Sequence, residues 1–220
     1  MIKISNRLKS LTKYLFNDDI IMDVGCDHAL LDIYLVQAGL AKKIYVCDVN
    51  PNALQNGINN IEKYDLVDKV IPILGFGIER ANEYNINTLV ISGMGSSNII
   101  EILSGPNTAL IYKLVLQSNN NHYELRKYLT SIGFNIVEEE IVPDSKKEYI
   151  NIVALRDYKN TKYTEIEYEF GPILTKKKEN LEYFKKLKES LEDIVLKNNS
   201  DETREKIKML SSIIASLETN

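Results

Sequence analysis

Apolar residues in the first two thirds of the chain gather in short, nearly unbroken runs rather than in strict alternation. The runs cover residues 20–24, 43–49, 69–74, 87–92 and 112–118. Each is rich in Ile, Val and Leu, and each gives way to Gly, Asn, Asp or Ser. Continuous apolar character over so few residues predicts strands buried on both faces of a parallel sheet. Between the runs the spacing changes to three and four. Residues 29–40 close on Gly39, a suitable residue for ending a helix. Residues 51–66 begin with Pro51 and set Leu54, Ile58 and Ile61 along one face. Residues 96–103 and 122–133 supply two further helices, and Leu8, Leu11 and Leu15 mark the buried face of an N-terminal one. This alternation predicts an open, doubly wound α/β sheet.

Past Gly133 the pattern changes. Residues 134–144 and 148–157 read as two strands joined by a turn around Pro143–Lys147, with no helix between them. They predict an antiparallel hairpin closing the sheet. Five alternating strands finished by a hairpin is the arrangement of the Rossmann-like class I methyltransferases. From about Phe170 onward only helical spacing remains. Leu181, Phe184, Leu187, Leu191 and Ile194 form one stripe, and Ile207, Leu210, Ile214 and Leu217 form another. Ser200 is placed to cap the second helix, with Asp201 and Glu202 at its positive end. The expected organisation is a 1–160 α/β domain followed by a 161–220 antiparallel, coiled-coil-like helical domain.

The turn after the first strand, Asp23-Val24-Gly25-Cys26-Asp27-His28, carries the chemistry. A dinucleotide lays its pyrophosphate on a helix start and asks for three glycines there. Only Gly25 is present, and Asp27 would meet that phosphate with negative charge. S-adenosyl-L-methionine has no phosphate but has a positive sulfonium and a positive amino group, which suit an acidic turn. Asp23 is placed to order the turn or meet the amino group, and Gly25 to let the backbone approach. Asp48 ends the second strand, where an acid accepts both ribose hydroxyls.

Composition narrows the setting. The 220 residues are 44% hydrophobic and 26% charged, ordinary for a soluble protein. No apolar run approaches the ~20 residues of a membrane span, and the basic N-terminus lacks the apolar stretch of a secretory signal. Cys26 and Cys47 read as reduced thiols, and no ligand spacing joins them to the two histidines, His28 and His122, so no metal is expected. A cytoplasmic monomer is the expectation. The net charge of −4 excludes a uniformly basic coat. It leaves two local patches, the acid-free start (Lys3, Arg7, Lys9, Lys13) and the lysines at 176–188.

Several segments together resemble one family. "DVGCDHALL", "SGMGSSNIIEIL", "LQSNNNHYELRKYL", "EYINIVAL" and "FGPILTKKKENLEYFKKL" are similar, in order along nearly the whole chain, to the bacterial tRNA (adenine-22-N1)-methyltransferases, often called TrmK. The resemblance implies methyl transfer from S-adenosyl-L-methionine to N1 of adenine 22 in tRNA. On it rest the expected cofactor contacts of Asp23, Gly25, Cys26, Asp27, His28, Asp48, Val49, Asn50, Gly75, Phe76, Gly77, Gly93 and Met94. Asp27, His28 and Asn119 are the expected catalytic group, and Arg7, Gly95, Arg126, Lys176, Lys177, Lys178 and Lys185 the expected tRNA contacts. Three motifs depart from the family pattern. Ser96 stands where a second glycine is usual after Gly-Met-Gly. Phe76 stands where Gly-Asp-Gly would place a carboxylate for the cofactor's adenine amine. Ser118 replaces the proline of Gln-Pro-Asn.

The chemistry needs no protein nucleophile, because N1 of adenine carries its own lone pair. The enzyme must expose N1, which is costly in paired or stacked RNA, align it, and stabilise the positive charge arriving on the base. Asp27 is the candidate for that last task, with helix capping as the competing role and His28 as its orienter. A methyltransferase of the same fold acting on a small molecule or protein, and a non-catalytic RNA-binding relative, remain open at this point.

Overall fold

The computed structural model describes residues 1–145, 147–157, 161–197 and 200–219. They divide into two compact units, Met1–Lys162 and Tyr163–Asn220.

The first unit opens with α1 (Asn6–Leu11), whose N-terminus is capped by the Ser5 hydroxyl accepting from the Leu8 N–H. Leu11 and Leu15 from this segment are fully buried. The alternating part follows as β1 (Ile21–Val24), α2 (Leu30–Gln37), β2 (Ile44–Asp48), α3 (Pro51–Lys63), β3 (Val70–Leu74), β4 (Thr88–Met94), α4 (Ser96–Leu103), β5 (Lys113–Ser118) and α5 (His122–Ser131). The hairpin strands β6 (Phe134–Asp144) and β7 (Lys147–Arg156) complete it. Their order in the sheet is β3-β2-β1-β4-β5-β7-β6. β1 to β5 run parallel, and β7 enters antiparallel between β5 and β6.

Every residue of β1 and β5 is buried, the physical meaning of their unbroken apolar sequence: helices cover both faces. Pro72 lies inside β3 against Val46. The sheet tolerates it because β3 is an edge strand with a single neighbour, so no ladder donor is missed on its free side. Sequential connection runs outward from β1 to β3 and then restarts at β4 on the other side of β1. That reversal opens a crevice at the carboxyl ends of β1 and β4, where ligands bind in such sheets.

The second unit begins earlier than helical spacing suggests. α6 (Glu165–Phe170) precedes the long helices and starts with a reciprocal capping box. The Thr164 hydroxyl accepts from the Glu167 N–H while the Glu167 carboxylate accepts from the Thr164 N–H. The Thr-x-x-Glu signature of this start is legible in the sequence. Two short 3-10 turns, Leu174–Lys176 and Lys178–Asn180, then lead into α7 (Leu181–Lys197). α8 (Asp201–Thr219) follows, with the Ser200 hydroxyl accepting from the Thr203 N–H at its start. Phe184, Leu210, Ile213 and Leu217 are buried here, whereas Ile194 and Leu196 at the far end of α7 are exposed.

Candidate active site

The turn after β1 is shaped by backbone before any side chain acts. The Gly25 N–H donates to the Cys47 carbonyl at 2.7 Å, and Gly25 sits at φ +78. A Cβ added there would lie 1.9 Å from Cε of Met94. Glycine alone accepts both this conformation and this approach at low cost. Asp27 and Ala29 follow with φ of 44 and 52, so the chain turns sharply before α2. α3 presses against this turn through Gly57, whose absent side chain would lie 3.0 Å from the Asp27 carbonyl. The Asn60 side-chain amide donates to the His28 carbonyl at 2.9 Å.

Two adjoining hollows flank the turn. The larger, about 410 Å³, is lined by Gly25 and Val24 from β1, Asp48 and Val49 from β2, Gly75 and Phe76 after β3, and Met94 from β4. The smaller, about 340 Å³, is lined among others by Arg7, Asp23, Gly25, Cys26, Asp27, His28 and Gly93. Most of the turn residues singled out from sequence are therefore brought together. Gly25 borders both hollows.

Asp48 holds its carboxylate at the floor of the larger hollow by accepting from the Asn50 N–H at 2.9 Å and, more weakly, from the Asp27 N–H at 3.4 Å. The Asn50 side-chain oxygen is spent capping α3, its N–H goes to Asp48 and its carbonyl accepts from the Leu54 N–H, so its side-chain NH2 is the group that remains for a ligand. Gly77 lies behind this hollow, and a Cβ there would crowd Val24 and Ile102.

Asp27 is more than half exposed, and its carboxylate lies 3.5 Å from the His28 ring. It does not cap α2. The N-cap position belongs to Ala29, and no side chain bonds the first turn. The capping role considered from sequence is thus absent, which leaves the carboxylate free to face a ligand. Cys26 is buried, and burial beside the carboxylates of Asp32, Asp23 and Asp48 pushes its thiol well above the ordinary range. A thiol held neutral is no nucleophile.

Beneath the turn, Asp23 (5% exposed) and the fully buried Asp32 form a carboxyl pair. Burial raises the Asp23 carboxyl to about 7, and the charge of Arg7 opposes that shift. Asp32 is raised well above its usual range by burial and by the charge of Asp23. No donor among the described residues reaches either Asp32 oxygen. Two buried carboxylates side by side do not both ionise at low cost, so the pair favours keeping one proton. Sequence reading missed Asp32, which sits in an otherwise apolar helix with nothing local to mark it.

Arg7 reaches the mouth of the smaller hollow from α1. Its guanidinium donates to the buried Gln117 side chain at 2.9 Å and lies over the Tyr149 ring at 5.4 Å. Gln117 is fixed in turn by Asn151 of β7. A Cβ on Gly93 would lie 3.4 Å from this guanidinium. Gly93 itself occupies a register shift between Ser92 and Met94 of β4, a device that re-aims the strand end. Asn119 joins this end, its N–H donating to the Met94 carbonyl and its side-chain amide to the Gly93 carbonyl, both at 2.8 Å.

Ser96 and Ser118, two of the three departures from the family pattern, are hydrogen-bonded to each other. Their hydroxyl oxygens are 2.9 Å apart, both are buried, and the Ser96 hydroxyl also reaches the carbonyls of Asn120 and Asn121. The serine at 96 thus adds no bulk to the pocket; it ties the loop after β4 to the loop after β5. Gly95 packs against the Asn120 side chain.

One expected tRNA contact is overturned. Arg126 is 1% exposed and paired with the fully buried Glu139 at 2.8 Å, because α5 turns that face onto β6. A guanidinium so enclosed cannot meet a phosphate. In the second unit Lys176 and Lys178 are exposed and Lys177 is partly so. All three lie in or between the 3-10 turns rather than on a long helix face. Lys176 pairs with Glu167 at 2.7 Å, and Lys185 with Glu218 at 2.8 Å.

Residues 21–219 match the family model described as TrmK: tRNA (adenine(22)-N(1))-methyltransferase. The chain is 26% identical to the Bacillus subtilis tRNA (adenine(22)-N(1))-methyltransferase, with 96% of this chain and 93% of the relative covered. Among solved structures it is similar to Mycoplasma capricolum TrmK in complex with S-adenosyl-homocysteine, at 28% identity and TM-score 0.85, covering 97% and 99% of the two chains. A Streptococcus pneumoniae protein solved with S-adenosyl-L-methionine gives 28% identity and TM-score 0.87 over 96% of this chain and 100% of the other. That family match runs from β1 to α8 and so takes in most of both units, and the chain belongs to the TrmK family of tRNA (adenine(22)-N(1))-methyltransferases.

Proposed function

We propose that the two hollows divide the family's reaction between them, with Gly25 as the shared wall across which the methyl group passes. The reaction is methyl transfer from S-adenosyl-L-methionine to N1 of adenine 22 in tRNA. The cofactor supplies an electrophilic methyl group on a sulfonium and leaves as S-adenosyl-homocysteine. The residues present suit it: an acid at the end of β2 for the ribose hydroxyls, a single glycine for close approach, and acidic rather than basic groups around the turn.

The smaller hollow receives the flipped base. Asp27 faces it, free of any capping duty, and stabilises the positive charge that the base acquires when its N1 lone pair bonds the methyl carbon. His28, 3.5 Å away, orients that carboxylate. Arg7 is held at the rim by Gln117 and Tyr149 and meets the RNA backbone or the base edge. Asn119 fixes the Gly93–Met94 end of β4 against which a flat ring lies. Lys177 and Lys178 extend the footprint on the tRNA body, with Lys176 and Lys185 contributing less because Glu167 and Glu218 already neutralise them. The enzyme acts in the cytoplasm, a reading that accords with two free, buried thiols, and it acts as a monomer. No helix among the described residues is long and apolar enough to cross a membrane.

The observation that carries this reading is that Gly25 lines both hollows, so one guest in each would meet at the turn. Incubation with methyl-labelled cofactor and unmodified tRNA should place label on N1 of one D-arm adenine, located by mass spectrometry of nuclease fragments. Label on no tRNA would overturn the function. Asp27→Ala should reduce turnover at least a hundredfold on the scale of a lost electrostatic stabiliser, with tRNA affinity kept. An unchanged rate would remove Asp27 from the mechanism.

A further inference from the structure

Phe76 leaves a chemical gap. It is 71% exposed at the rim of the larger hollow and its ring offers no acceptor, although a purine with a 6-amino group presents a donor that a side-chain carboxylate would satisfy. The walls on that side are otherwise apolar: Ile78, Ile102 and Pro106. They would hold a flat ring without reading its edge. Three polar side chains remain in the lining there, Glu79, Asn98 and Glu101.

We infer that Glu79 supplies the missing acceptor and reads the 6-amino group of the cofactor's adenine. This rests on the cofactor occupying the larger hollow with its ribose at Asp48. Leu74 is the register partner of Asp48, and the Gly75 N–H donates to the Asp48 carbonyl at 3.1 Å. The chain leaving β3 is therefore the immediate neighbour of the ribose acceptor, on the side away from the Gly25 turn. The Glu79 carboxylate hangs over this neighbour, with Oε2 only 3.8 Å from where a Cβ on Gly75 would stand.

Its backbone is anchored. Residues Ile78–Arg80 form a 3-10 turn, and the Asn107 side-chain amide donates to the carbonyls of Ile78 and Glu79 at 3.2 and 2.8 Å. No donor among the described residues takes the Glu79 carboxylate, whereas its neighbour Arg80 is occupied by Glu83 at 2.7 Å. An anchored, uncompensated carboxylate one turn beyond Phe76 is the group best placed to accept from an amine. Glu101 and Asn98 reach the lining from α4, which follows β4, rather than from the chain that leaves β3 beside Asp48.

Isothermal titration with two ligands tests the assignment without turnover. One ligand is S-adenosyl-homocysteine. The other is its hypoxanthine analogue, in which the 6-amino group is replaced by an oxygen. The wild type should prefer the adenine form by about tenfold or more, the scale of a charge-assisted hydrogen bond. Glu79→Gln should weaken the adenine form by a similar factor and bring the two ligands to within about threefold, since an amide can donate to the oxygen. Glu101→Gln should keep the preference. An unchanged preference in Glu79→Gln overturns the assignment. Asp48→Asn separates the two readings. If it loses affinity for both ligands while Glu79→Gln changes nothing, only Glu79 fails. If it too binds at full strength, the cofactor lies elsewhere and both readings fail.

Discussion

Removing the Arg126 guanidinium is the sharpest way to separate a structural cation from an RNA contact. In Arg126→Met the apolar stem is kept while the charge is lost, leaving Glu139 fully buried without the partner it meets at 2.8 Å. Breaking a buried pair from one side costs about 3–5 kcal/mol, because the remaining carboxylate has given up its water and lost its counter-charge. In a chain of 220 residues each kcal/mol moves the thermal midpoint by roughly 2–4 °C, so a fall of about 6–20 °C is expected. Replacing both members, Arg126→Met with Glu139→Leu, should recover most of that loss, since two matched apolar groups leave no orphaned charge. Differential scanning fluorimetry gives the midpoints, and filter binding at a temperature where the variant is folded gives tRNA affinity. The reasoning fails if Arg126→Met is as stable as the wild type but binds tRNA several-fold more weakly, the signature of a solvent-facing cation.

Three further outcomes are expected. Asp23 and Asp32 hold their protons more tightly folded than unfolded, so their burial penalises the native state increasingly as pH rises from about 4 through 7. Asp32→Asn should therefore gain stability over the wild type as pH is raised from 5 to 8 in urea titrations. An advantage that shrinks over that range would contradict the pairing. Ser96→Ala removes the hydroxyl that bridges Ser118, Asn120 and Asn121. It should lower kcat several-fold by loosening the Asn119 loop while S-adenosyl-homocysteine affinity stays within about twofold, the cost of a neutral buried hydrogen bond being about 1 kcal/mol. A change confined to cofactor affinity, seen by titration, would place that bridge in the wrong hollow. Gly25→Ala adds a methyl where Met94 already lies and strains a φ of +78, and should weaken S-adenosyl-homocysteine at least tenfold by calorimetry. Wild-type affinity would mean that the backbone at Gly25 is not approached.

The elements themselves were legible because their cause is local. Runs of Ile, Val and Leu too short for helices and too continuous for a one-sided sheet specify strands covered on both faces, and β1 and β5 are buried throughout. Turn residues fixed where those strands end, so the acid at Asp23, the glycine at Gly25 and the acid at Asp48 could be assigned to one edge of a sheet before any contact was known. What the chain could not reveal alone is which polar groups meet across that edge. Arg126 and Arg7 are both expected RNA contacts from sequence, yet one lies against Glu139 inside the protein and the other is steered to the rim by Gln117 and Asn151, 110 and more residues away. Asp32 becomes an acid without a donor only because α2 turns it inward onto Asp23. Ser96 and Ser118, 22 residues apart, become one bridge only because β4 and β5 are neighbours. Hydrophobic period is written within a few residues. Charge compensation is settled between residues that only the packed sheet brings within hydrogen-bonding distance, and there the tertiary structure decided.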